Sequence, residues 1–184
     1  MNSDFMQNID FKHITLPLDG EQARALRAGD YLLLSGTLYT ARDAAHKRLT
    51  ECLAKGEELP VGLQGQTLFY AGPCFAADGT PTGAGPTTSY RMDSYAPALY
   101  DYGVTATIGK GDRGEGVYEA IRRTGGLYLA AIGGAGALYA KAIKSVRVVA
   151  YADLGAEAIR RLEVEAFPVI VAIDSRGDTV FKKV

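Results

Sequence analysis

Short apolar segments in this chain keep ending at glycine, and that punctuation limits the possible folds more than any other feature. Tyr31–Thr40, YLLLSGTLYT, is interrupted at Ser35-Gly36, and Thr67–Ala71, TLFYA, stops at Gly72-Pro73. VTATIG, residues 104–109, runs into the charged, glycine-rich turn Lys110–Gly116, and Leu127–Ile132 runs into GGAGALYAKAI. Brief apolar runs bounded by turn residues read as buried strands. The 22 glycines among 184 residues are spread over these junctions and not gathered in a linker, which places tight turns where a ligand can approach the backbone.

Helical patterns lie between the strands. Asp19 with Gln22 three residues on is a capping-box spacing and predicts a helix over Gly20–Ala28, ended by Gly29. Asp43–Lys55 carries Ala45, Leu49, Cys52 and Leu53 on one face and stops at Gly56. Further helices are predicted over about Thr88–Tyr102, over Glu115–Thr124 and after the glycines at 133–136. His13–Leu18, Val146–Tyr151 and Val169–Asp174 read as strands, residues 76–86 as a loop, and Thr179–Lys182 as the return of a hairpin. In Tyr31–Thr40 the glycine predicts a turn or bulge followed by a second short strand. Strands interleaved with helices predict the α/β class with a mixed sheet, in one domain over residues 1–184.

Composition narrows the function. With 47% hydrophobic and 22% charged residues the chain can close a core without disulfides or metals. A net charge of -1, with no basic stretch, argues against nucleic acid or a membrane surface as partner. No apolar run approaches the roughly 18 residues of a membrane span. MNSDFMQNIDFKH has neither a basic start nor an apolar signal core, so a cytoplasmic location is expected. Cys52 and Cys74 show no CxxC spacing and read as reduced, mostly buried thiols; with only His13 and His46 besides, no self-contained metal site is expected.

Three stretches carry candidate chemistry. In GAGPTTSYRMDSY, residues 83–95, a helix starting at Pro86 or Thr87 would aim free N–H groups and the positive end of its dipole outward. Thr87, Thr88 and Ser89 add hydroxyls, and Arg91 falls four residues after Thr87, on the same helical face. The set suits a carboxylate or phosphate oxygen, although a threonine N-cap beside a surface arginine explains the same residues. In GTLYTARDAAHKR, residues 36–48, Arg42 is a candidate carboxylate clamp and Asp43 a helix N-cap. His46, four residues after Arg42, either orients it or moves protons, or else bonds a neighbouring backbone group. In IGKGDRGEG, residues 108–116, Lys110 projects from a strand end toward the ligand edge of a sheet, or stands in a solvated turn. Neither GxxxxGK[ST] nor GxGxxG is present, which disfavours a nucleotide-binding domain. Convergent cations and hydroxyls fit a small dicarboxylate, yet no electrophile is in sight, so the chain reads as part of a site completed by another chain.

In order, SGTLYTARDAAHKRL, YAGP, GPTTSYRMD, IGKG and EAFPVIVAIDSRGD resemble the β subunit of two-subunit class I fumarate hydratases and L(+)-tartrate dehydratases, which forms the C-terminal domain in single-chain members. The resemblance spans about residues 10–184. It implies a swivelling β/β/α domain and an α subunit, or N-terminal domain, holding a [4Fe-4S] cluster with one iron open to substrate. It also implies an αβ pair that dimerises further, with no cofactor bound by this chain alone. By resemblance Arg42, Arg91 and Lys110 contact the substrate carboxylates. Thr87, or its neighbour Thr88, is the base that takes a proton from the carbon beside a carboxylate, with Lys110 and Arg91 lowering the hydroxyl pKa. The reaction implied is reversible hydration of fumarate to malate, or dehydration of L(+)-tartrate to oxaloacetate. A non-catalytic dicarboxylate-binding or assembly module is the reading from another class.

Overall fold

A computed structural model of the protein describes residues 9–75, 81–131 and 136–181. The chain runs β1 (Phe11–Thr15), α1 (Gly20–Ala25), β2 (Tyr31–Thr40), α2 (Asp43–Ala54), β3 (Thr67–Phe69), β4 (Cys74–Phe75) and β5 (Pro81–Gly83). A 3-10 turn over Ser89–Met92 leads to α3 (Ala96–Tyr102), β6 (Ala106–Gly109), α4 (Glu115–Thr124), β7 (Leu127–Ala131), α5 (Gly136–Ala142) and β8 (Ile143–Ala150). A second 3-10 segment, Ala152–Glu157, precedes β9 (Ile159–Ile173).

The sheet is mixed, as the interleaved pattern predicts, and it closes. β1, β2, β3, β6 and β7 lie in parallel register, while β9 runs antiparallel to both β2 and β7. The ring β2–β3–β6–β7–β9 is a five-stranded barrel, with β1 and β8 attached outside it. Closure explains why β6 is buried at every residue: one side of it faces the barrel interior and the other faces helices. Leu32, Leu34, Leu38, Phe69, Ile108, Leu129, Phe167 and Val169 belong to the largest of three core clusters, which Tyr139 of α5 joins by stacking on Phe167 at 4.4 Å.

Several sequence expectations are corrected. Tyr31–Thr40 is one strand, not two. The register against β9 shifts between Leu34 and Gly36, Ser35 of β2 opposing Glu165 and Ala166 of β9, so the extra residue sits in β9, where Ala166 adopts φ 52°. Gly36 itself has φ 123°, and a Cβ there would come within 2.7 Å of Leu16 O. β9 is fifteen residues long and begins ten residues before the predicted Val169 start. Pro168 disguised it, yet that proline falls between the residues paired with β8 and those paired with β7, where this edge carries no ladder pairing. α1 makes the predicted capping box but ends at Ala25, because Asp30 Oδ2 accepts the Arg27 N–H at 2.8 Å and turns the chain. Residues 81–83 of the predicted loop pair with β4, and the rest of that loop at 76–80 lies outside the described residues, as do the glycines at 133 and 134. The expected return of a hairpin is present, since Thr179 bridges Ile173 in antiparallel fashion and Val180 N–H donates to Ala172 O at 3.0 Å, while Lys182 lies outside the described residues.

The predicted helix over Thr88–Tyr102 is two elements. In a continuous helix Pro97 would lack an N–H and would crowd the carbonyl four residues back, whereas at the second position of α3 it costs nothing. The chain before it becomes a four-residue 3-10 turn, and that change matters for the site.

Candidate functional site

The parallel strands bring their carboxyl ends to one pole of the barrel. There β2 delivers Arg42, β3 leads to Gly72, and β6 delivers Lys110, the arrangement in which open α/β sheets place ligands. The stretch at 86–89 is laid across the same pole as extended chain. Pro86 bridges Ala71, Thr88 bridges Lys110 in parallel fashion, and Thr87 N–H donates to Tyr70 O at 2.6 Å. Ser89 N–H donates to Lys110 O at 2.9 Å. This corrects the helix-start expectation. The main-chain donors of Thr87 and Ser89 are spent on neighbouring strands, so no dipole of a helix beginning at Thr87 is available to an anion, and Thr87 and Arg91 do not share a helical face. The stretch contributes side chains: Thr87 half-buried, Thr88 exposed, Arg91 half-exposed.

Arg91 and the start of α2 meet directly. Arg91 Nε lies 2.8 Å from Asp43 Oδ1. Asp43 is the first residue of α2 and not its N-cap; Arg42 holds that position without a side-chain bond. The cap comes from far along the chain, where Glu157 Oε2 accepts the Ala44 N–H at 2.8 Å while Glu157 Oε1 lies 3.6 Å from the Arg42 guanidinium. Gly72 borders the same guanidinium, and a Cβ there would sit 3.2 Å from it.

His46 is fully buried one turn into α2, edge-on to Tyr70 with ring centroids 5.1 Å apart. Its Nδ1 is 2.9 Å from Arg42 O, which therefore receives the Nδ1–H. Burial pushes the imidazole down to about 4, with the Arg42 carbonyl bond opposing that shift, so the ring is neutral and Nε2 bears a lone pair. Of the two sequence readings, the backbone contact is the one the structure shows. Among the described residues, Arg42 Nε, Asp43 Oδ2 and His46 Nε2 are buried without a hydrogen-bond partner. Three unsatisfied atoms within five consecutive residues are a concentration that protein cores ordinarily avoid.

Beside this corner lies a buried network that sequence reasoning missed. Arg113 has no exposed side-chain surface and pairs through Nε with Asp93 Oδ1 at 2.6 Å. Its other nitrogens reach Thr107 Oγ1 at 3.2 Å and Tyr70 OH at 3.4 Å, and its plane lies against the Tyr70 and Tyr128 rings at 5.3 and 4.8 Å. Burial opposes this charge, but Tyr70, Tyr100 and Asp93 outweigh it and hold the guanidinium pKa above its ordinary value. Ser89 Oγ meets Tyr128 OH at 2.8 Å, and a Cβ at Gly109 would overlap that serine, so glycine here lets the stretch at 86–89 close onto β6. Asp93 Oδ2 also accepts the Gly114 N–H at the start of α4. Arg113 read as part of a solvated turn because its partners lie 6 to 43 residues away; the only local hint was an Asp inside an otherwise hydroxyl-rich segment.

Comparisons with known proteins complete the description. The sequence model of the family described as fumarase C-terminus matches residues 2–184. Fumarate hydratase 2 of Leishmania major is 39% identical over 166 residues, 89% of this chain and 29% of that protein. The anaerobic class I fumarate hydratase of Escherichia coli K12 is 41% identical over 156 residues, 83% of this chain and 28% of that protein. The chain thus spans less than a third of the length of these fumarate hydratases. A Methanocaldococcus jannaschii protein provisionally named as an L(+)-tartrate dehydratase β subunit is 36% identical over 174 residues, 91% of this chain and 89% of that protein.

Proposed function

The chain belongs to the fumarase C-terminus family, and from that premise we propose that it is the β subunit of a hydro-lyase that interconverts fumarate and malate. The observation that carries the reading is the gathering of Arg42, Thr87, Arg91 and Lys110 at the carboxyl ends of β2, β3 and β6, next to buried polar atoms that have no partner among the described residues. A dicarboxylate brings four oxygens. Arg42 and Arg91 offer guanidinium forks for them, and Lys110 offers a third cation on the strand edge that carries Thr88. In the dehydration direction the Thr87 hydroxyl removes the proton from the carbon beside a carboxylate. The cations around it favour the alkoxide, and Tyr70 O fixes its main chain. Thr88 is the alternative base.

The chain is proposed to act as one swivelling β/β/α domain against an α subunit that holds a [4Fe-4S] cluster, in αβ pairs that dimerise further in the cytoplasm. Among the described residues no group of three or more His, Cys, Asp or Glu is placed to hold a metal, and Cys52 Sγ faces Tyr151 OH at 3.8 Å. The described residues do not fit the cluster as ligands. Among the described residues no helix is long and apolar enough to cross a membrane.

L(+)-tartrate dehydration to oxaloacetate is the second reading, favoured by the Methanocaldococcus relative, whose length this chain nearly matches. Anaerobic co-expression with the α subunit, followed by assay on malate, fumarate and L(+)-tartrate, tests both. Thr87→Ala is expected to lower kcat/KM by about 10²- to 10⁴-fold with the complex intact. Full activity in that variant would transfer the role to Thr88 or to the partner. An intact, cluster-loaded wild-type complex inert on all three acids would leave a dicarboxylate-binding or assembly module.

A further inference from the structure

The opposite pole of the barrel, at the amino ends of the parallel strands, holds a second concentration of cations. A cavity of about 350 Å³ is lined by Arg24, Arg122, Arg123 and Arg176 with Thr124, Gly125 and Ser175. We propose that it binds a small multivalent oxyanion. The inference does not depend on the hydro-lyase reading.

Arginine at a helix C-terminus is an ordinary dipole partner, and this accounts for Arg24 in the last turn of α1 and for Arg122 and Arg123 in the last turn of α4. It does not account for Arg176, nor for the way the four converge. Arg123 is forked onto Asp101 at 2.7 and 2.8 Å, and Arg122 meets Glu115 at 3.0 Å. Arg24 and Arg176 have no carboxylate partner among the described residues. Asp174, the buried acid that precedes Ser175 in the chain, spends both oxygens on main-chain N–H groups: Oδ1 on Arg176 and Asp178, Oδ2 on Ala28. It shapes the loop that carries Arg176 without engaging the guanidinium.

The backbone is cut away around these side chains. A Cβ at Gly177 would overlap Arg122 Nε, and at Gly20 and Gly125 it would sit 3.3 and 3.4 Å from the Arg24 guanidinium. Gly20 has no positive φ to demand glycine. Among the described residues no apolar side chain lines the cavity, so it offers an occupant no apolar wall to bury against and no ring to stack on. Its size lies at the low end for ligand pockets, which suits pyrophosphate-like or polycarboxylate anions held by guanidinium forks.

Isothermal titration calorimetry on the assembled protein at low ionic strength, with pyrophosphate and separately with citrate, tests this. Saturable binding is expected, weakened about tenfold or more in Arg24→Gln/Arg176→Gln. Binding is expected to be unchanged in Arg48→Gln, a surface arginine paired with Asp153 away from the cavity. Tighter pyrophosphate assigns a phosphate ligand, and tighter citrate a polycarboxylate. Arg24→Lys/Arg176→Lys, which keeps charge but loses the fork, is expected to be intermediate and guards against a folding defect in the glutamine variant. Equal affinity in the double glutamine variant, loss of binding in Arg48→Gln, or no saturable heat at millimolar anion would overturn the proposal.

Discussion

Two neighbouring polar regions lie under the same pole and differ in one respect. Around Arg113 every strong group is spoken for: the guanidinium has Asp93, Thr107, Tyr70 and two aromatic faces, and Tyr128 OH has Ser89 Oγ and Gly111 O. Around Arg42 the described residues leave one donor and two acceptors buried without partners. A saturated network holds elements together, here the 3-10 turn, β6 and α4. An unsaturated one carries a desolvation cost that only a further molecule, a ligand or an ordered water, can relieve. The first region therefore reads as scaffold and the second as receptor.

The largest effect that separates them is expected from Asp93→Ala. It leaves Arg113 charged and buried without its acid, which costs about 3–5 kcal/mol for a buried pair broken on one side. It also removes the acceptor for Gly114 N–H. Urea denaturation should show the loss directly, and a change below about 1 kcal/mol would mean that the aromatic cage, not the ion pair, carries Arg113.

Acid is expected to act next, through His46. The ring titrates near 6.5 when unfolded and is held down to about 4 in the fold by burial. The unfolded chain therefore binds the extra proton first. The neutral ring's contribution is complete above about pH 6.5 and is lost as pH falls toward 4, roughly 3 kcal/mol in all. Unfolding free energies of wild type and His46→Gln between pH 7.5 and 4, a range set around those two values, should diverge by that amount. Parallel profiles would show that the ring ionises in place.

Much of the fold was legible because it rests on local chemistry. The capping box at Asp19, the helix Glu115–Thr124 between its flanking glycines, and the interleaved strands all follow from neighbours in sequence. What was not legible depends on distant partners. Barrel closure comes from β9 pairing across the chain with β2 and β7, and the N-terminus of α2 is capped by Glu157, 113 residues beyond Ala44. The site shows the same division. Arg42 and Lys110 follow the ends of β2 and β6, as the sequence placed them. The geometry inferred for Thr87 and Arg91 failed, because a strand pairing took the N–H groups that a helix start would have left free.

The smallest change in stability, and the one that most sharpens the contrast, is expected from Asp43→Asn. Asp43 joins the two readings: Oδ1 holds the half-exposed Arg91, and Oδ2 is one of the unpartnered atoms. A partly exposed ion pair contributes under about 1 kcal/mol, so denaturation should hardly move. If Asp43 positions Arg91 for a substrate carboxylate, steady-state kinetics of the assembled enzyme should show KM raised several-fold with kcat nearly kept, a loss of binding common to ground and transition states. A lowered KM would instead make Asp43 a carboxylate that competes with substrate for Arg91. A loss of stability comparable to that of Asp93→Ala would place Arg91 and Asp43 with the scaffold and leave Arg42 and His46 alone in the receptor.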